Sequence, residues 1–225
     1  MTALFSGKIT AGRLKRVGPA DVGAALLLLV FIYSVAVVLT LNFRPLYYLY
    51  IQSAGWPAAV GMPMNEMTAN YDALIGYNSL FFAGPLELPT LDVSVNGRIH
   101  YEEVKRIFVI FQVACIASAV CLIPVAVKKI RRRETSFLKI GGIASILFAA
   151  AIVVYLGLDW DTFFVRFHET FFNNDFWIFD AATDPSILIL PDGYFMTCAV
   201  MIFALVIGLS IAAVAVARRL RRGAD

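Results

Sequence analysis

Residues 22–43, VGAALLLLVFIYSVAVVLTLNF, run for 22 positions without a lysine, arginine, aspartate or glutamate. A bilayer core about 30 Å thick takes roughly 20 apolar residues as a helix, so this stretch is long enough to cross one. Three more stretches repeat the pattern, at 107–127, 140–158 and 194–217. None of them carries a charge, and a charge at mid-membrane costs about 2.5–3.5 kcal/mol on insertion scales. Across the chain 60% of residues are hydrophobic and 16% charged. The expectation is an all-α membrane protein, a single integral domain over 1–225 with four transmembrane helices. The first apolar run is long for a signal peptide, and no small-x-small cleavage site closes it before NFRPLYY. It is read as an uncleaved first span.

Charge sets the expected orientation. Lys8, Arg13, Lys15 and Arg16 precede the first span. Lys128, Lys129, Arg131, Arg132, Arg133 and Lys139 lie between the second and third, and Arg218, Arg219, Arg221 and Arg222 follow the fourth. These are fourteen of the nineteen basic residues, and basic loops stay in the cytoplasm. Both termini are therefore expected inside, and the connections 44–106 and 159–193 outside, forming an extracytoplasmic cap. Thirteen of the sixteen acids, all but Asp21, Glu134 and Asp225, fall in those two connections. The basic runs read as topology signals, so no nucleic-acid binding is expected. Cys115, Cys121 and Cys198 sit inside spans with no metal or disulfide spacing and read as apolar packing residues.

The two connections have enough aromatic and branched residues to fold. Residues 44–52, RPLYYLYIQ, place tyrosines where a ring is buried and its hydroxyl stays wet. Residues 64–82, MNEMTANYDALIGYNSLFF, space Met67, Tyr71, Leu74 and Tyr77 by three or four and predict a helix. Residues 86–97, LELPTLDVSVNG, alternate enough to predict a short strand and a turn at Asn96 and Gly97. His100 follows, about two turns ahead of the second span. In the other connection a helix over 160–172 puts Trp160, Phe163, Phe164, Phe167 and Phe171 on one face, away from Asp161, Thr162, Arg166 and Glu169. His168 then projects at the edge of that face, between Phe164 and Phe172, at a membrane surface.

Each connection thus supplies one of the chain's two histidines. HETFF begins like a zincin motif, but the second histidine of His-Glu-x-x-His is replaced by Phe172. No metal is expected, because a catalytic zinc takes three protein ligands. There is no Gly-x-Ser-x-Gly elbow, Walker loop or dinucleotide fingerprint. An imidazole with a pKa near 6.5 suits acid–base work at neutral pH. The alternative is a pair of interfacial histidines that only satisfy hydrogen bonds. Asp175, Asp180 and Asp184 read equally as turn formers, Lys105 as a snorkelling cation and Trp177 as a belt aromatic. A shared site requires the two imidazoles within about two hydrogen-bond lengths plus a small substrate group.

Residues 88–108, LPTLDVSVNGRIHYEEVKRIF, and 166–195, RFHETFFNNDFWIFDAATDPSILILPDGYF, resemble the two signatures of the lipoprotein intramolecular transacylase family. The first is a Leu-Pro strand and a Ser leading to His-x-x-acid-Val-Lys. The second is Phe-His, then Phe-Phe-x-Asn-Asp-x-Trp, Asp-x-x-Thr-Asp and a proline before the fourth span. Glu103 stands where the family has Asp, and Tyr101 where it has an aliphatic residue or Met. The resemblance implies an enzyme of the bacterial cytoplasmic membrane acting on diacylated lipoproteins among membrane lipids. It would move the sn-2 acyl chain from the glyceryl oxygen to the α-amine of the N-terminal cysteine, with no cofactor and no external acyl donor. It implicates His100 and His168 in catalysis without ranking base and acid. Glu103, Lys105, Asp175, Trp177, Asp180 and Asp184 match the signatures as supporting or orienting residues. Phe163, Phe164, Phe167, Phe171 and Phe172 would contact acyl chains and exclude water. The competing readings are a non-enzymatic envelope protein binding lipid or a partner, and a lipid hydrolase. Oligomeric state, preferred lipoprotein and acyl length stay open.

Overall fold

The computed structural model describes residues 17–222. Lys8, Arg13, Lys15, Arg16 and Asp225 lie outside the described residues. The elements are α1 (Pro19–Asn42), α2 (Arg44–Ser53), α3 (Trp56–Val60), α4 (Met64–Tyr77), α5 (Val95–Arg131), α6 (Ser136–Leu156), α7 (Trp160–Phe171), a 3-10 turn (Pro185–Ile189) and α8 (Asp192–Arg222). Helices α1, α5, α6 and α8 are long and apolar enough to cross a membrane. Each overlaps one of the four apolar stretches read from the sequence, α1 ending at Asn42 and α6 at Leu156. The chain is a multi-pass membrane protein, all-helical among the described residues.

Close approach of backbones holds the bundle, since lipid is as apolar as leucine and gives no hydrophobic drive between helices. α1 packs against α5, α6 and α8, and α6 also packs against α8. A Cβ built on Gly142 of α6 would lie 2.8 Å from the Ser210 carbonyl oxygen of α8. Only glycine lets those two backbones approach so closely. At the end of the bundle away from the cap, Lys129 of α5 pairs with Asp21 of α1 at 2.6 Å and with Glu134 at 3.7 Å. Asp21 also accepts from the Gly18 amide at 3.1 Å at the start of α1. Two of the three acids outside the expected cap therefore neutralise a buried lysine.

Helix α5 has 37 residues, about 55 Å at 1.5 Å per residue. Its apolar section 107–127 suffices to span, so residues 95–106 project beyond it as part of the cap. The expected strand and turn before it do not form. Residues 86–94 are irregular, with a bend at Pro89 and Thr90 and no partner strand among the described residues, and Asn96 and Gly97 already belong to the first turn of α5. A lone run has no ladder to join, and its alternation instead buries Leu86 and packs Leu88, Leu91 and Val93 against the cap core. Ser94 caps α5, its side chain accepting from the Gly97 amide at 3.0 Å.

The cap core is built on tyrosines. Tyr47 of α2 stacks on Tyr71 of α4 at 3.7 Å between ring centres, and the Tyr71 and Tyr194 hydroxyls share a hydrogen bond of 2.5 Å. The 3-10 turn is gripped by donors from the other connection: Tyr47 to the Ile189 carbonyl at 2.8 Å and Trp56 to the Leu188 carbonyl at 2.7 Å. Tyr101 donates to the Ser186 hydroxyl at 2.9 Å. Buried backbone carbonyls outside regular helix need such partners.

Gly142→Ala is expected to lower the thermal stability of the detergent-solubilised protein by about 1–3 kcal/mol, the usual cost of overpacking. Gly76→Ala, whose Cβ would meet nothing within 4 Å, should leave it unchanged or raise it by about 0.5 kcal/mol. Unfolding curves of the two variants side by side test the assignment.

Candidate functional site

His100 lies one and a half turns into α5 and is only 7% exposed. Its ring meets Phe172 at 4.7 Å and Phe179 at 5.5 Å between centres. Its Nδ1 is buried with no hydrogen-bond partner. His168 is on α7, which starts where the Asp159 carboxylate accepts from the Thr162 amide at 2.9 Å. Most of α7 has the faces expected: Trp160, Phe163, Phe164 and Phe167 are half-buried, while Asp161, Arg166 and Glu169 are exposed; Phe171 at the helix end is exposed and Thr162, beside the Asp159 cap, is half-buried. His168 stacks on Trp177 at 4.7 Å and touches Phe164 at 4.2 Å. The centres of the two imidazoles are 6.1 Å apart, with Phe172 against both. That meets the distance a shared site requires.

The proton on His168 can be located from its partner. Nδ1 lies 2.7 Å from the Phe164 carbonyl oxygen, and a carbonyl only accepts. Nδ1 therefore donates, and in the neutral ring Nε2 keeps the lone pair. Burial pushes the His168 pKa below its ordinary value, and the bond to Phe164 partly opposes that shift. His100, outside the spanning section, is pushed down to about 4, first by burial and then by His168. Near pH 7 both rings are neutral, one a base through Nε2 and the other able to present an N–H to an oxygen.

The predicted acids and Lys105 do not gather around the two rings. Glu103, one helical turn after His100, accepts from the Asn174 side-chain amide at 3.0 and 3.3 Å. The Asn174 oxygen in turn accepts from the Phe176 amide at 3.0 Å, which fixes the orientation of the side chain. Asn174 was not singled out from the sequence, although it sits within the Phe-Phe-x-Asn-Asp-x-Trp run. Nor was Phe179, which reads there as one aromatic among many.

Lys105 faces the other way. It donates to the Phe82 carbonyl at 3.1 Å and lies over the rings of Tyr77 and Phe82, tying down the chain after α4. Asp184, 4% exposed, accepts from the Ser94 amide at 2.8 Å and from the Thr183 hydroxyl at 3.1 Å. A Cβ on Gly97 would meet its carboxylate at 2.3 Å, so glycine makes room for it. Asp180 closes a turn by accepting from the Ala182 amide at 2.9 Å. Asp175 is exposed, its backbone carbonyl accepting from Ile178 at 3.1 Å. Among the predicted phenylalanines, Phe172 is buried against both imidazoles and Phe164 packs on His168. Phe163 reaches Phe203, Phe167 packs at a tilt against Phe171, and Phe171 is 53% exposed.

The model of a family described as lipoprotein intramolecular transacylase Lit matches residues 22–195. The fold is similar to a structure of the membrane integral lipoprotein intramolecular transacylase Lit from Bacillus cereus. The TM-score is 0.86 at 33% identity, covering 91% of this chain and 95% of that one. It is also similar to two structures of that enzyme in which a histidine is replaced by arginine or by alanine. Each has a TM-score of 0.82 and 33% identity, covering 91% of this chain and 91% or 93% of the other. No curated protein matches the chain.

The depressed His100 pKa has a consequence for stability. The folded chain takes this proton near pH 4, whereas an unfolded histidine takes it near 6.5. The folded state therefore binds fewer protons between those values. Its stability is full above about 6.5 and is lost as pH falls from there towards 4. The midpoint of thermal unfolding should fall between pH 7 and pH 5. It should fall less in His100→Phe, which fills the same aromatic pocket without titrating. An unchanged acid slope in that variant would show that His100 is not buried neutral.

Proposed function

Because the chain belongs to the lipoprotein intramolecular transacylase family, and is thus a membrane acyltransferase, we propose that its two cap histidines move an acyl chain within a diacylglyceryl-cysteine lipoprotein. The sn-2 chain passes from the glyceryl oxygen to the α-amine of the same N-terminal cysteine, leaving a lyso-form, N-acylated lipoprotein. The observation that carries this reading is the meeting of the two imidazoles, from different connections, at 6.1 Å between centres.

The α-amine has a reference pKa near 7.7–8.0, so much of it is protonated at neutral pH. His168, with Nδ1–H held by Phe164, takes that proton on Nε2. The freed nitrogen lone pair attacks the ester carbonyl carbon and forms the new C–N bond. An N–H of His100 steadies the oxygen that gains the electron pair. As the carbonyl re-forms, the C–O bond to glycerol breaks, and a proton returns through a histidine to the glyceryl oxygen. The ammonium's first proton passes from His168 to bulk solvent, and the second, shed to His168 by the nitrogen after attack, is the one delivered to the glyceryl oxygen. One proton is therefore released per turnover, and no cofactor or second substrate is consumed. The amide is more stable than the ester, so the transfer runs downhill. The two roles are interchangeable on chemistry alone. The hydrogen bond on His168 favours it as the base, because its tautomer is preset.

Water at the ester would turn transfer into hydrolysis. Phe164, Phe172 and Trp177 enclose the rings, while Phe163, Phe167 and Phe171 continue the apolar face along α7 for acyl chains. Holding amine and ester together supplies several kcal/mol of the barrier reduction. Glu103, Trp177 and Asp184 support the site by bracing α5 and α7, and Lys105, Asp175 and Asp180 by shaping the loops around it. By the basic-residue bias the termini lie in the cytoplasm and the site faces the outer leaflet.

His168→Ala and His100→Ala should each slow transfer on a synthetic diacylated lipopeptide by about 10²–10⁴-fold while the protein still inserts and folds. Fragment-ion mass spectrometry reads the result, since the product has the mass of the substrate and only fragments show the acyl group on nitrogen. Release of free fatty acid by the native protein would instead identify a hydrolase. Near-native turnover in either variant would remove that histidine from the mechanism.

A further inference from the structure

Glu103 is a half-buried carboxylate whose described hydrogen-bond donor is neutral. It shares a face of α5 with His100, one turn away, because residues three apart on a helix are neighbours. The segment 172–174 then brings Phe172 against the His100 ring and Asn174 against the Glu103 carboxylate. Carboxylate and imidazole therefore line one seam between α5 and the chain that follows α7. Among the described residues the ion pairs involve Asp21, Asp72 and Glu134, and none involves Glu103. The adjacent cation, Lys105, is engaged by the Phe82 carbonyl and two aromatic rings. A half-buried carboxylate with no counter-ion in the chain is open to pairing with a cation from outside it. The free protein holds this carboxylate in place through Asn174, which is itself locked by the Phe176 amide.

In the same seam the His100 Nδ1 is buried and unpartnered. A ligand with a cationic donor group would give the carboxylate a counter-ion and the imidazole a partner. We propose that Glu103 is the counter-ion that receives a primary ammonium on the substrate, the α-ammonium of an N-terminal residue, and presents it to the histidines. The inference rests on the transacylase reading and deepens it by assigning a residue to the amine.

The chemistry is consistent at each stage. Before reaction the carboxylate favours the charged amine and so recruits the substrate in the form that predominates at neutral pH. When the nitrogen attacks the ester it becomes positively charged again, and the same carboxylate stabilises it until His168 takes the proton. Asn174 occupies part of the carboxylate's acceptor capacity, and a carboxylate has about four lone-pair positions, which leaves room for an ammonium. An N-terminus already acylated or acetylated has no cation to offer and is disfavoured, so the carboxylate also selects substrate over product.

The test uses the full chain in detergent, with a synthetic diacylated lipopeptide bearing a free α-amine and its N-acetylated analogue. Affinity for both is measured at pH 7, and transfer on the first is followed by fragment-ion mass spectrometry. The native protein should prefer the free amine by about tenfold to a hundredfold, the range for a hydrogen bond to a charged group. Glu103→Gln, which keeps an acceptor for Asn174 but no charge, should lose most of that preference by weakening the free-amine ligand alone. Glu103→Asp should retain it. No preference in the native protein, an intact preference in Glu103→Gln, or its loss in Glu103→Asp would each overturn the inference. Transfer with an intact preference in Glu103→Gln would sink this assignment and leave the transacylase reading standing. A Glu103-dependent preference without transfer would do the reverse.

Discussion

The buried carboxylate of Asp184, accepting from the Ser94 amide at the start of α5, ties together two connections that are far apart in the chain. The 3-10 turn that follows it is held by Tyr47, Trp56 and Tyr101 from the other connection. These bonds satisfy backbone and side-chain groups that have no regular helix or sheet to join. They also set the distance between α5 and the segment that carries His168. If the clamp were looser the two imidazoles would have no reason to meet, because helices α5 and α7 themselves are joined through few direct packing contacts. The supporting acids of the cap are thus not alike. Asp184 acts through the architecture, whereas Glu103 lies within reach of the seam where His100 is found.

The site lies where a polar cap meets an apolar bundle, and that position sets its electrostatics. Aromatic rings around His100 and His168 exclude water, and burial favours the neutral imidazole. A neutral pair suits the transfer of a proton from an ammonium to an alkoxide better than one ring locked in the charged form. The Phe164 carbonyl refines this by choosing the tautomer of His168. The same rings that lower the two pKa values extend along α7 as an apolar surface. On the proposed function, acyl-chain binding, water exclusion and tuning of the bases would share one set of side chains.

The bundle answers a different constraint. In a bilayer, tight backbone contact and satisfied polar groups hold helices together. Gly142 supplies the first, and the Lys129–Asp21 pair is the costly exception that is tolerated because both partners are present. That ion pair and the cap lie at opposite ends of the four helices. The cap end is stapled by tyrosine hydroxyls and amides, and the other end by charge.

How much was legible in the sequence depends on how local the signal is. Hydrophobic run length is local, so the four spans followed from it, as did the helical face of Phe163, Phe164 and Phe167. The two signatures were legible too, because their residues lie close together in the chain. Alternation over 86–95 misled, since the same pattern serves a strand or an irregular segment lying on a core, and only the absence of a partner strand among the described residues decides between them. The placement of His100 against His168, 68 positions apart, depends on bonds made by Asp184, Tyr47, Trp56 and Tyr101. No periodicity encodes it. Whereas the tautomer of His168 is set by Phe164 one turn back on its own helix, the neutral state of His100 and the hold of Asn174 on Glu103 are decided by the tertiary structure alone, because burial and long-range hydrogen bonds are properties of the neighbours a residue acquires on folding.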